Sequence, residues 1–199
     1  ISSMDSGPQN SAVRPKRTDG LLLLLLVASL SLNVYLGWRV SQAPSPHRSV
    51  VKLSSGVKVN PVDATGMDGR QQTISYNDTD KPTVFYVLSP SCIWCERNRK
   101  NIDELTKAKG KDFRFVGLSL SGEQLKEYVE EHHLNFPVYT GLKSDTIQSL
   151  GLGGTPQTIV ISPEGLVLKN WSGAYREQTQ REVEDYFQVR LPGLISADH

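Results

Sequence analysis

The sequence predicts an α/β domain, a central mixed sheet flanked by helices, carried behind an N-terminal apolar anchor. Three observations lead there. Six consecutive leucines open an apolar stretch near the N-terminus, β-rich runs alternate with amphipathic ones from about residue 83, and a turn-linked pair of strands precedes a last helix. The 199 residues, 38% apolar and 22% charged, suit one globular domain plus an appendage. Basic and acidic side chains number 22 and 21, a formal net charge of +1, so no overall field recruits nucleic acid or acidic ligands. Nucleic acid is not expected as a partner.

Residues 1–20 read as a tail, and residues 21–38, LLLLLLVASLSLNVYLGW, as a transmembrane span. About 18 residues of helix at ~1.5 Å rise nearly cross a hydrocarbon core of ~30 Å. Tyr35 and Trp38 lie at the far end, where amphipathic rings favour the membrane interface. Anchorage in the lipid bilayer is therefore expected; a cleaved signal peptide, with Ser29 and Ser31 near the cut, is the alternative. A buried core helix fits poorly, because six leucines in a row show water no polar face. Arg14, Lys16 and Arg17 precede the span while Arg39, Arg48 and Lys52 follow it, so charge alone leaves the orientation open. A folded domain outside is the commoner outcome for one N-terminal span.

Residues 39–49, RVSQAPSPHRS, hold two Pro and three Ser without apolar periodicity and read as a linker. The domain is expected over 50–192, followed by a tail, 193–199. Its first part carries short apolar runs parted by Gly66 and by Asp68-Gly69, a hairpin signal. Residues 83–88, TVFYVL, form an unbroken β-branched and aromatic run of the kind a strand buried on both faces shows. A helix over 92–109 follows, then a strand over 113–120 and a helix over 123–133. Residues 136–140 suit a short strand, and 144–150 a short helix capped by Ser144 or Asp145. QTIVIS and LVLKNW are strands joined by the turn Pro163-Glu164-Gly165, and a helix over 176–189 closes the domain.

The chain has two cysteines, Cys92 and Cys95, in SPSCIWCERN. A tetrahedral zinc site would need two of His47, His132, His133 and His199, of which the first lies in the linker, the last ends the chain, and the adjacent pair suits a solvated helix end. No metal is expected. As a staple, so short a loop gains only ~2 kcal/mol, against ~3 kcal/mol for a loop of about 15 residues. A redox role has a positive mechanism. The pair follows the buried strand and opens a helix, so Cys92 sits where free amides and the helix dipole favour a thiolate. Cys92 is then the nucleophile, and Cys95, one turn on, is the thiol that attacks the mixed disulfide.

Strand, CIWC, helix, and later GGTPQTIVISPEG resemble the thioredoxin fold. Over roughly residues 56–190 the chain is most similar to the TlpA/ResA-type membrane-anchored thiol-disulfide oxidoreductases. The resemblance implies a thioredoxin-like fold in which Pro156 is cis and lies against the disulfide, with the Thr155 backbone pairing to a substrate strand. Trp94 is expected as an aromatic wall that contacts partners. The sequence also departs from the pattern. Ser91 and Trp94 replace the Trp and Pro found in many relatives, Tyr86 stands where thioredoxins have a buried acid, and Asn98 where ResA-type proteins have a glutamate. The usual proton acceptor for the buried thiol is missing. Either Glu96 or a water relays that proton, or Cys95 reacts more slowly.

The expectation is a membrane-anchored thiol-disulfide oxidoreductase with its catalytic domain on the periplasmic side of a bacterial inner membrane. It would reduce protein disulfides, as in cytochrome c maturation, and draw electrons from a membrane donor. No cofactor is expected beyond the redox-active Cys92–Cys95 disulfide. CIWC places no histidine between the cysteines, which favours a reductase over a strong oxidant. A thiol peroxidase of the same fold and a non-catalytic redox-sensing or binding module are the alternatives.

Overall fold

The computed structural model describes residues 17–42 and 53–196. The chain divides into two units, Ile1–Arg48 and Ser49–His199. In the first, α1 (Arg17–Gln42) is a single helix, and its stretch Gly20–Arg39 is long and apolar enough to cross a membrane. The helix exceeds the expected 21–38 at both ends, because helical hydrogen bonding runs on into polar flanks that hydropathy does not count. Residues 1–16 of the tail, 43–49 of the linker and 50–52 of the domain lie outside the described residues.

The second unit is a seven-stranded sheet with helices. β1 (Val62–Gly66) and β2 (Gln71–Ile74) form a hairpin whose turn places Gly69 at φ 78°, the left-handed region that Asp68-Gly69 signalled. Then come β3 (Thr83–Leu88), α2 (Ile93–Lys109), β4 (Arg114–Ser119), α3 (Leu125–Glu131), β5 (Val138–Thr140) and α4 (Ser144–Ser149). The chain closes with β6 (Gln157–Ile161), β7 (Val167–Ser172) and α5 (Glu177–Phe187). Across the sheet the order is β2-β1-β5-β4-β3-β6-β7. β3, β4 and β5 run parallel, while β6 pairs antiparallel with β3 and β7 with β6, so the sheet is mixed.

All six residues of β3 are buried, and alternate side chains serve opposite layers. Val84, Tyr86 and Leu88 pack with Ile102 and Leu105 of α2 and Val183 and Phe187 of α5. Phe85 and Val87 pack on the other side with Val62, Val116 and Leu150. Two apolar faces explain why TVFYVL shows no polar alternation. On β4, a Cβ at Gly117 would come within 2.9 Å of the Val138 side chain, so only glycine lets β4 and β5 approach as they do.

The helix ends differ from expectation where the backbone turns early. Cys92 caps α2 from outside rather than starting it. α3 is shorter than 123–133, because Gln124 adopts a left-handed φ of 54° just before it. α4 is capped at Lys143 without a side-chain hydrogen bond, not at Ser144 or Asp145. α5 begins after Arg176 and ends at a left-handed Gln188. Residues 193–195, expected in a tail, fold back along α2. The Gly193 N–H donates to Oδ1 of Asn101 (2.8 Å) and the Ile195 N–H to the Arg97 carbonyl (2.8 Å). Asn101 is fully buried, and its oxygen needs such a donor.

Candidate active site

Topology brings the two sequence motifs together. β3 delivers the chain into Ser89–Ser91 and the start of α2, and β6 runs antiparallel beside it with Gln157 opposite Val87. Thr155 and Pro156, which precede Gln157, therefore arrive at the end of β3 where the cysteines sit. The Thr155–Pro156 bond is cis, as the resemblance implied, and the Gly173 N–H fastens the loop by donating to the Pro156 carbonyl (2.8 Å).

Cys92 and Cys95 are free thiols with different surroundings. Cys92 is half-buried, and its Sγ accepts the Cys95 N–H at 3.1 Å, the hydrogen bond of a helix cap. An amide donor is thus in place for a charged sulfur at this position. Cys95, 1% exposed, lies one turn into α2. Burial pushes its thiol well above the usual range, with a hydrogen bond to Cys92 acting the same way. The Ser89 backbone and the Thr155 hydroxyl act in the opposite direction by hydrogen bonding to it.

Tyr86 and Asn98, the two positions where relatives carry acids, are neighbours here. The Asn98 amide donates to the Tyr86 hydroxyl at 3.5 Å, a long bond, and accepts from the Asn101 amide (2.9 Å) and the Tyr175 N–H (3.1 Å). Tyr175 in turn shares a 2.7 Å hydrogen bond with Thr158. Burial first, and then the nearby Cys95, raise the Tyr86 phenol well above its ordinary value, so it is neutral. A satisfied, uncharged network occupies the space beneath Cys95.

On the Cys92 side, a groove of about 690 Å³ is walled by Cys92, Ile93, Glu96, Glu127, Tyr128 and His132 among others. Glu96 is held by Arg99 (3.2 Å), and Nε2 of His132 lies 3.0 Å from its other oxygen, at ion-pair distance but without hydrogen-bond geometry. His132 is not the solvated helix end that the sequence suggested. Its ring packs edge-to-face with that of Tyr128, centroids 4.4 Å apart, and is largely covered, because the chain turns in after α3. Trp94 is 36% exposed and lines a second cavity, about 350 Å³, with Thr155, Pro156 and Arg176. Of the predicted site residues, Cys92, Cys95, Thr155 and Pro156 converge, and Trp94 borders them. Arg176 was missed, since a lone arginine before a helix carries no signal in sequence. Among the described residues, no cluster of three His, Cys, Asp or Glu side chains is placed to hold a metal.

Comparison with known proteins agrees with this geometry. A thiol-disulfide oxidoreductase ResA from Bacillus thuringiensis subsp. konkukian (strain 97-27) is 23% identical over 176 residues, covering 86% of this chain and 94% of that one. The solved thioredoxin domain of a thiol-disulfide oxidoreductase from Bacteroides vulgatus superimposes with a TM-score of 0.56 at 21% identity, over 68% of this chain and 99% of its own. StoA from Bacillus subtilis does so at 0.51 and 13%, over 66% and 98%. The mixed sheet, the thiol pair at the head of α2 and the cis-proline loop facing it define a thioredoxin-like protein of the thiol-disulfide oxidoreductase class. The AhpC/TSA family model matches residues 56–170, more than half of the chain, and the chain belongs to that family.

Proposed function

We propose that this protein is a single-span, extracytoplasmic reductase of disulfides in other proteins, acting through Cys92 and Cys95. The observation that carries the reading is the asymmetry of the pair: a half-exposed thiol with an amide donor on its sulfur, followed one turn later by a buried thiol beside it.

In the first step the Cys92 thiolate attacks one sulfur of a substrate disulfide. A Cys92–substrate disulfide forms, and the other substrate sulfur leaves as a thiolate that takes up a proton. Cys95 then loses its proton and attacks the Cys92 sulfur, which releases the second substrate sulfur. Two electrons have passed to the substrate, and the protein holds a Cys92–Cys95 disulfide. The Thr155 hydroxyl is the side-chain donor that supports Cys95 as it ionises. Glu96 is engaged by Arg99 and His132, so a water is the better relay for the Cys95 proton.

The apolar helix Gly20–Arg39 supports a membrane tether, and the resemblance suggests a catalytic domain on the periplasmic side of a bacterial inner membrane. A dithiol donor in that membrane would restore the reduced pair, and cytochrome c maturation is the process this resemblance suggests. The test is the reduction potential of the pair, by equilibration against defined dithiothreitol couples. A value near ~−270 mV supports the reductase, whereas one near ~−120 mV makes the protein a disulfide-forming oxidant.

One observation favours a second reading. The network of Tyr86 and Asn98 puts neutral groups where relatives place acids, which suits a sensing or binding module without turnover. Insulin reduction separates the two: a folded, reduced protein with no Cys92-dependent activity would be the module. Rapid peroxide consumption would instead identify a thiol peroxidase.

A further inference from the structure

Beside the thiols, two arginines from different elements share one exposed indole. The Arg97 guanidinium lies 4.6 Å from the Trp94 ring centroid and that of Arg176 lies 5.1 Å from it. Arg97 comes from α2 itself and Arg176 from the residue that caps α5. Neither has a carboxylate partner among the described residues. Arg97 is steadied instead by a backbone oxygen, that of Ile195, at 3.2 Å.

Two like charges gathered on one ring repel each other, and the ring quadrupole offsets that repulsion only in part. An incoming carboxylate would relieve it and offer a guanidinium a planar pair of acceptor oxygens, which is the geometry arginine suits best. The cavity beside Trp94 and Arg176 is also lined by Thr155 and Pro156, so a group seated there lies against the loop that faces the thiols. Its one acidic wall residue, Glu177, has no ion pair with either arginine. The groove on the Cys92 side has the opposite character, with Glu96, Glu127 and Glu131 on its walls. A net charge of only +1 conceals this local polarity.

We propose that Trp94, Arg97 and Arg176 form a carboxylate-recognition platform that selects protein substrates with an acidic side chain beside the target disulfide. The platform deepens the reductase reading and rests on it. Acidic residues are drawn to the Trp94 side of the cysteines and turned away from the glutamate-lined groove. The substrate is thereby oriented as well as attracted.

The test uses two disulfide-bridged peptides, identical except for Glu or Gln beside one cysteine, and the full chain, reduced, in detergent at low ionic strength. The Glu peptide is expected to react about five- to tenfold faster, with the advantage shrinking as salt is added. In Arg97→Gln/Arg176→Gln the ratio of the two rates falls towards one. Lys107→Gln, which removes a charge about three turns further along α2, keeps the ratio. Equal rates for the two peptides on the unaltered protein overturn the platform, and that comparison needs no variant to fold. If neither peptide is reduced, the reductase reading fails and binding decides the platform separately. Trp94 emission, taken as the difference from Trp94→Phe, must then report tighter binding of the Glu peptide; equal binding overturns it.

Discussion

Cys95 loses almost all contact with water when α2 packs on β3, and a thiolate there forgoes hydration that a thiol does not need. Its folded-state pKa is raised, so at neutral pH it is protonated, and its ionised fraction grows about tenfold with each pH unit. Release of substrate from a preformed Cys92 mixed disulfide should therefore accelerate about tenfold per unit between pH 6 and pH 8. Stopped-flow decay of a chromophoric mixed disulfide measures this, and a flat profile would show that ionisation of Cys95 does not limit the step. The same shift has a stability consequence of definite sign. Folding favours the neutral thiol, so its contribution is complete below the unfolded value, ~8.5, and is lost as pH rises from there towards the higher folded value. Thr155→Val removes a hydrogen-bond donor from Cys95, and the same decay assay should slow by about three- to tenfold. The spacing of Cys92 and Cys95 was legible in sequence, as was the Gly-Thr-Pro loop that faces them. What could not be read was that Tyr86 and Asn98, each noted as a departure, touch one another. Contact across 12 residues depends on the angle at which α2 crosses β3, and no local pattern encodes that angle.

At the level of elements, β3 and α2 are the parts on which both the core and the thiols depend. Leu105 is fully buried on the inner face of α2, and Leu105→Ala should cost about 2–5 kcal/mol in urea unfolding. Gly117→Ala should cost about 1–3 kcal/mol, because the new methyl has no room against Val138 and the parallel pair β4–β5 must part. A loss below 0.5 kcal/mol in the latter would mean that β5 yields easily. The strands β3, β6 and β7 were legible because β-branched runs between turn residues leave few alternatives. Helix ends were less so. The Ser144-Asp145 pair looked like a cap, yet the backbone already enters the helix from Lys143, and a preference of about 1 kcal/mol is easily outweighed by the packing of neighbouring segments. His132 was misread for a similar reason. Its place at the end of α3 suggested water, whereas the tertiary fold brings Tyr128 and Glu96 against it.

For the whole molecule, α1 predicts behaviour that can be measured without reference to the thiols. The chain should remain with liposomes after alkaline carbonate washing, and a chain lacking residues 20–39 should appear in the supernatant. Carbonate-extractable full-length chain would rule out a spanning anchor. At the other end, residues 193–195 are clasped to α2, and Ile195 exchanges hydrogen bonds with Arg97 through both its N–H and its carbonyl. Ile195 is thereby held against the helix that carries both cysteines. An acidic epitope added at the C-terminus is therefore expected to lower the rate with the Glu peptide, because Arg97 is bonded to Ile195. Preparations tagged at that end and at the opposite end should be compared before any selectivity is assigned to the protein itself.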